Sequence, residues 1–342
     1  MMYLAGYTFT SANHPQAAFR RPEMVDFRFL QQTVHTPYFR AFASQSLSRQ
    51  ELTDLAEQHL RQAAEQAGWP SESWHEYPVF IGSASYNASE YENIFHAAEN
   101  HAGYSLLHLA DDLTARSGND DIFSFATACT SSAHALIQAA NFLKKGAAKR
   151  AFVLGVESFN LMTLLHFHSL GLFSDTYRPF NGNGLILGEG IAALAFSADA
   201  PSSSHLQLIS HAANTGNDLI QSNSQAQASA MEQALNAAHA KPQDIVAVKT
   251  HGVGTHDSDS AEMSALSQMF TQLPPLLAFK PQIGHTLGAA GALETALLAQ
   301  SLQQGQGVDY SGQALAFSDG LYLTNYFGFG GSNTSMVWQW TS

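Results

Sequence analysis

Along the 342-residue chain, short apolar runs alternate with longer stretches in which apolar residues recur every three or four positions. That alternation of strand and helix periods is the mark of α/β proteins. Strands are predicted at Tyr3–Phe9, Pro78–Ser83, the apolar run from Ile122, Ala151–Val156 and Ile191–Ser197. After a polar break at Asp199–Ser204 they resume at His205–Ser210, Ile245–Thr250, Leu276–Phe279, Leu321–Phe327 and Ser335–Trp340. The first helix is signalled by a capping box of Ser48 and Glu51, apolar spacing at Leu52, Leu55, Ala56, Leu60 and Ala63, and a terminal Gly68. Further helices are expected at Ala97–Arg116 before Gly118, at Gln225–His239, at Ser260–Gln272 and at Gly288–Gln303. Two stretches show no clear period: the basic and aromatic Arg20–Phe42, and the polar and aromatic Glu157–Gly190. The expectation is two packed α/β halves, residues 1–199 and 205–342, each with a covered and largely parallel sheet.

Composition narrows the partners more than the fold. With 15 basic and 28 acidic residues the formal net charge is −13, which speaks against nucleic acid or an anionic membrane. No apolar run approaches a bilayer span, and the start lacks a basic segment followed by a long apolar one. A soluble, cytoplasmic protein is therefore expected. One cysteine cannot form an internal disulfide, so the question it raises is reactivity.

That cysteine, Cys129, stands where the run from Ile122 breaks into an Ala-rich helical pattern with Leu136, Ile137, Ala140 and Leu143 on one face. A helix start offers unpaired N–H groups and the positive end of the dipole, both of which favour a thiolate. A cysteine so placed is a candidate nucleophile, while the plainer reading is a small buried core residue. Three other motifs fall at predicted strand ends, where α/β folds place ligands. His251-Gly-Val-Gly-Thr255 is a glycine turn after a strand. Lys280-Pro-Gln-Ile-Gly-His285 leads into a helix with Gly288 and Gly291, positions that permit tight packing. Phe327-Gly-Phe-Gly-Gly-Ser-Asn333 is a glycine turn whose N–H groups suit a developing oxyanion. Singly these are weak signals, because the chain has 16 histidines and glycine turns are common.

Together they are specific. An Ala-Cys-Thr-Ser-Ser turn, a His-Gly-x-Gly-Thr after 122 residues, a Gly-His with Gly-Ala-Ala-Gly after another 34, and Gly-Phe-Gly-Gly-Ser-Asn resemble the β-ketoacyl synthases of the thiolase superfold over about the last two thirds of the chain. The resemblance implies two related α/β halves in a five-layer αβαβα arrangement. It also implies decarboxylative Claisen condensation of an acyl group with malonyl-acyl carrier protein, in fatty-acid or polyketide-like elongation. On that reading Cys129 accepts the acyl group, and His251 with His285 hydrogen-bonds the malonyl thioester. Lys280 orients the second histidine through Glu294, and the N–H groups of Cys129 and Phe329 form the oxyanion hole. Phe329 is also the gate, flanked by Gly328 and Gly330. Neutral imidazoles stabilise an enolate without protonating it, and burial with Lys280 alongside holds them neutral. No metal or organic cofactor is implied beyond the 4'-phosphopantetheine carried by the partner. Because Ala151–Val156 reads as wholly buried, a dimer is expected, with an identical or a related mate.

The chain also departs from that family. It is shorter than usual, and the stretch Arg178–Gly190 lacks two residues, an expected arginine and an expected aspartate among them. Val253 stands where a threonine normally meets the pantetheine arm, which leaves that task to Thr255. Where relatives carry a basic carrier-docking helix this chain has Ser89-Glu-Tyr-Glu-Asn93, with Lys144, Lys145, Lys149 and Arg150 as a substitute patch. These departures raise a second reading, a chain-length-factor-like partner subunit that shapes another ketosynthase's acyl channel. The intact Cys-His-His set argues against it. A third, a zinc site at His166 and His168 or at His251 with His256 and Asp257, has suitable ligand types but no cysteine pair or His-Glu-x-x-His helix.

Overall fold

The computed structural model describes residues 1–12, 22–44, 46–96, 104–201, 205–216 and 222–342. The chain opens with β1 (Met2–Ser11), β2 (Glu23–Phe29), β3 (Gln32–Phe39), α1 (Arg49–Gln66) and β4 (Val79–Gly82). It continues with α2 (Ala88–His96), α3 (His108–Ser117), β5 (Ile122–Phe125), α4 (Ser131–Lys144), β6 (Arg150–Glu157), α5 (Leu161–Ser169), β7 (Leu187–Gly188) and β8 (Gly190–Ser197). Beyond the break come β9 (His205–Thr215), α6 (Ser224–Ala237), β10 (Ile245–Lys249), α7 (His256–Met269), β11 (Leu276–Leu277) and α8 (Lys280–Ile283). The last elements are α9 (Ala290–Gln304), β12 (Gln306–Val308), β13 (Ala314–Ala316), β14 (Gly320–Gly328) and β15 (Ser332–Thr341).

The main sheet runs β11-β10-β14-β15-β9-β1-β8-β6-β4-β5. Its middle is narrow, since β1 and β9 pair only through Met2 with Leu208 and Tyr3 with Gln207. Each limb repeats one pattern outward from that seam: two antiparallel pairings, then two parallel ones. The expected largely parallel sheets are therefore corrected to mixed ones, because β14 returns directly into β15 through the glycine turn and β1 lies antiparallel to β8.

Alternation along each strand sorts side chains into layers. Phe80, Val153 and Leu194 pack with α4 and α9 in the same core as Tyr322, Met336 and Trp338 of the other limb. On the opposite faces, Ile81, Leu154 and Ala193 meet Leu52, Ala56 and Leu60 of α1 and Leu113 of α3. Likewise Val248, Leu323 and Val337 meet Met231 of α6 and Leu266 of α7. The result is helix, sheet, helix, sheet, helix, with α4 and α9 in the centre.

Helix α1 keeps its capping box, with Ser48 Oγ accepting from Glu51 N. Helix α3 ends at Gly118 in the left-handed region, as its sequence predicts, but begins at His108; residues 97–103 of the predicted span lie outside the described residues, as do residues 202–204 of the predicted break. The stretch Arg20–Phe42 contains a hairpin, in which Phe27 faces an apolar cluster that includes Cys129 while Asp26 and Arg28 point outward. Its two-residue turn is Leu30-Gln31, with Leu30 at φ 56°, so the usual glycine or asparagine is missing. The aromatic excursion holds α5, capped by Asn160 Oδ1 accepting from Thr163 N at 2.9 Å. Glu92 of α2 takes the N–H groups of Leu161 and Met162 at 2.8 and 2.5 Å. The wholly buried Ala151–Val156 stretch of β6 lies inside the sheet between β8 and β4, so its burial says nothing of a dimer. No helix among the described residues is long and apolar enough to cross a membrane.

Candidate active site

Between β5 and α4 the chain makes a sharp turn at Thr127-Ala-Cys-Thr130. Ala128 adopts φ 53°, uncommon for a residue with a Cβ, and Ser131 holds the turn by donating to Ala128 O at 2.7 Å while accepting from Thr127 N at 2.9 Å. The start of α4 is pressed against the centre of the molecule. A Cβ at Gly291 would collide with Ala133 N, and one at Gly288 with Ala84 N. Gly291 lets α9 lie directly against the start of α4, just after Cys129, and Gly288 lets its lead-in lie against the loop that follows β4.

His251 follows β10 and His285 follows α8, and the fold brings both to that turn. His285 Nε2 is 3.1 Å from Cys129 Sγ, and the two imidazoles meet edge-to-face with centroids 5.5 Å apart. Nδ1 of each ring is buried without a partner among the described residues. Lys280 Nζ donates to the His251 carbonyl at 2.7 Å and forms an ion pair with Glu294 at 2.6 Å. This corrects the predicted role: Lys280 ties down the backbone of the first histidine, and its bonds do not reach the ring of the second. Lys249 forms a further ion pair with Glu294, and all three charged groups are buried.

Electrostatics separates the thiol from the expectation for a helix start. Burial pushes the Cys129 thiol up to about 12; Lys280 and the N–H groups of Phe329 and Cys129 pull the other way with less effect. The resting sulfur is therefore a thiol hydrogen-bonded to an imidazole, not a preformed thiolate. Cys129 lies ahead of the first helical residue, Ser131, so desolvation outweighs the dipole. Both histidines are held well below the usual imidazole range, first by burial and next by Lys280, so they are uncharged at neutral pH.

Phe329 begins the glycine turn after β14. Its N–H points at Cys129 Sγ, its side chain is 38% exposed, and its ring lies 5.8 Å from that of Phe167. Gly330 takes φ 81°, and Gly328 packs over Cys129 N. Cys129, His251 and His285 line a cleft of about 50 Å³ whose walls include Val253, Thr255 and Phe329. The structure thus places Cys129, His251, His285, Phe329, Gly328 and Thr255 at one opening, with Lys280 and Glu294 behind it.

Other residues that build the site gave little signal in sequence. Glu262 accepts from the N–H groups of His251 and Gly252, both at 2.7 Å, and burial raises its carboxyl to about 7. Asp259 accepts from Phe180 N and Gly254 N, and Glu157 from Ala84 N and Gly288 N. His134 Nε2 lies 3.1 Å from Ser332 Oγ, which is 2.8 Å from Thr130 Oγ1, joining α4 to the glycine turn. The spacing of Glu262, eleven residues after His251 on the next helix, was the one legible clue. The Lys144–Arg150 patch spans the far end of α4 and the start of β6, about 20 Å along the helix from Ser131, and the Arg150 guanidinium lies 4.4 Å from the Trp69 ring centroid. His256 and Asp257 stand on the surface away from buried His251, and among the described residues no group of three or more His, Cys, Asp or Glu is arranged to hold a metal ion.

Comparison with known proteins matches this geometry. The β-ketoacyl synthase N-terminal domain matches residues 121–199 and the β-ketoacyl synthase C-terminal domain residues 206–309, together just over half of the chain. The 3-oxoacyl-(acyl-carrier-protein) synthase 1 of Escherichia coli is 24% identical over 251 residues, 63% of this chain and 60% of that protein. The chloroplastic 3-oxoacyl-(acyl-carrier-protein) synthase I of Arabidopsis thaliana is 24% identical over 262 residues, 64% of this chain and 53% of that one. The matched part thus spans about half to three fifths of these curated relatives. Among solved structures, a β-ketoacyl synthase from Burkholderia phymatum superposes with a TM-score of 0.82 at 21% identity, over 100% of this chain and 99% of that one. A ketosynthase in complex with its chain length factor from Xenorhabdus doucetiae gives 0.81 at 20% identity, over 99% and 98%. The fold is the thiolase-like fold of these structures, and the chain belongs to the β-ketoacyl synthase family.

Proposed function

We propose that the chain is a β-ketoacyl synthase that joins a Cys129-bound acyl group to malonyl-acyl carrier protein with loss of carbon dioxide. The observation that carries the reading is the Cys129 Sγ to His285 Nε2 contact of 3.1 Å, with His251 against His285, in one open cleft. In the first half-reaction Cys129 attacks the carrier thioester. Its proton leaves through His285 Nε2 to the departing pantetheine sulfur, while the N–H groups of Cys129 and Phe329 receive the carbonyl oxygen's charge. In the second, the acylated sulfur has no proton to share, and uncharged His251 and His285 donate to the malonyl thioester oxygen. Carbon dioxide departs, the enolate carbon attacks the acyl carbon, and the bond from that carbon to Cys129 Sγ breaks, leaving the β-ketoacyl group on the carrier and a Cys129 thiolate that takes a proton from water. The carrier's 4'-phosphopantetheine enters as part of the substrate, past Thr255 and Val253.

The partners in this reading are acyl carrier protein and a second ketosynthase-like chain. The outer edge of β5 supports the latter, since it pairs with no other described strand and presents the half-buried Phe123 and Phe125. A chain-length-factor-like mate fits the solved complexes of related fold. The repeated strand pattern supports residues 1–199 and 205–342 as two related halves. The test is reconstitution: acyl- and malonyl-acyl carrier protein should yield a β-ketoacyl product and carbon dioxide with wild type and none with Cys129→Ala. A folded wild-type protein, alone or with its mate, that never forms product refutes the proposal.

A further inference from the structure

One buried charge has no place in the chemistry so far. Lys249, the last residue of β10, is 1% exposed and lies two residues before His251 in the chain. Its Nζ forms an ion pair with Glu294 Oε2, while Lys280 occupies Oε1 at 2.6 Å. It also sits 3.6 Å over the ring of Tyr326, whose hydroxyl is 3.0 Å from Thr295 Oγ1.

A structural pair asks for one ammonium per carboxylate. Burying the second is costly, and here Lys280 already neutralises Glu294. The cluster therefore holds two positive charges against one negative. The remaining titratable groups at this end offset the excess only in part, through the attraction between Glu262 and Lys249. Glu262 turns its carboxylate to the backbone N–H groups of His251 and Gly252, Asp259 faces the N–H groups of Phe180 and Gly254, and Cys129 is held as a thiol.

We propose that Lys249 is an electrostatic positioning residue for the condensation: it shares Glu294 with Lys280, leaves a buried positive excess behind His251 and His285, and thereby keeps both imidazoles uncharged donors. The direction of the histidine titrations supports this, because Lys249 acts on both rings to disfavour the imidazolium, after burial and Lys280. As a role in catalysis it rests on the ketosynthase reading; as electrostatics it does not.

The experiment separates the two. The pH titrations of His251 and His285 are followed by NMR of the ring Cε1–H in wild type and Lys249→Met, with assignment by loss of signal in His251→Asn and His285→Asn. Malonyl-carrier decarboxylation is measured against pH on the same proteins. In Lys249→Met both midpoints are expected to rise toward the ordinary imidazole value by about one pH unit, and the acid limb of the decarboxylation profile should rise with them. Unchanged midpoints overturn the proposal; shifted midpoints with an unshifted acid limb overturn its catalytic part. If no variant or wild type decarboxylates, the ketosynthase reading falls and the midpoints alone judge Lys249. Should Lys249→Met and Lys249→Gln both fail to fold, wild type decides. Imidazoles titrating near 6.5 overturn the buried excess.

Discussion

Glu294→Gln removes the one carboxylate that two buried lysines share, and the structure fixes how much that should cost. Lys280 retains the His251 carbonyl, so only Lys249 is counted as stranded. An uncompensated buried ammonium gives up its proton. Burial already lowers the wild-type Lys249 ammonium to about 8, so giving up its proton at pH 7 costs about 1.4 kcal/mol for the roughly one unit between. Loss of the buried hydrogen bonds adds to this, toward the range of about 3–5 kcal/mol for breaking a buried pair, out of the roughly 5–15 kcal/mol that holds a protein folded. The pH dependence follows with its sign. The wild-type lysine titrates at about 8 and the variant's lower still, so the loss is largest at low pH and shrinks as pH rises through about 8. At pH 9, where the wild-type lysine is itself mostly neutral, it should be smaller than at pH 7 by about 1.4 kcal/mol. Urea unfolding of wild type and variant at pH 7 and 9, followed through the buried Trp74 and Trp338, measures both losses. A loss below about 1 kcal/mol at pH 7, or the same loss at both pH values, would refute the charge-sharing cluster.

Other perturbations test other parts of the site. Gly291→Ala forces α9 off the start of α4 and should cost about 1–3 kcal/mol in unfolding free energy while slowing acylation of Cys129; a neutral effect on both would show that the close approach is dispensable. His251→Ala and His285→Ala should each lower malonyl decarboxylation by roughly 10²–10³-fold with the far-UV circular dichroism retained, and near-wild-type rates in either would remove that ring from the mechanism. Because burial pushes the Cys129 thiol up to about 12, iodoacetamide alkylation should accelerate steadily from pH 6 to pH 9; a plateau within that range would reveal a preformed thiolate.

Much of the scaffold could be read from the chain because its signals are local. The Ser48–Glu51 capping box, the alternation of strand and helix periods and the glycine turn after β14 each act within a few residues. The three chemical side chains emerged only in combination, since neither His251 nor His285 is distinguishable from the other histidines by its own surroundings in sequence. What stayed hidden depends on contacts across the fold. The β2–β3 hairpin turns through Leu30-Gln31 without a turn residue, and α5 begins where Glu92, about seventy residues earlier in the chain, supplies acceptors. The thiol's protonation was misjudged because a helix start is visible in sequence while burial is not. Lys249 read as an ordinary strand residue until the structure placed it beside a carboxylate already taken.

The central claim is that the Cys129 sulfur accepts an acyl group from a carrier thioester. Intact-mass spectrometry after incubation with acyl-acyl carrier protein tests it most directly. Wild type should gain the mass of one acyl group, localised to Cys129 by peptide mapping and absent from Cys129→Ala. A natively folded wild type that stays at its unmodified mass, with every tested acyl length and with its mate present, would contradict the account.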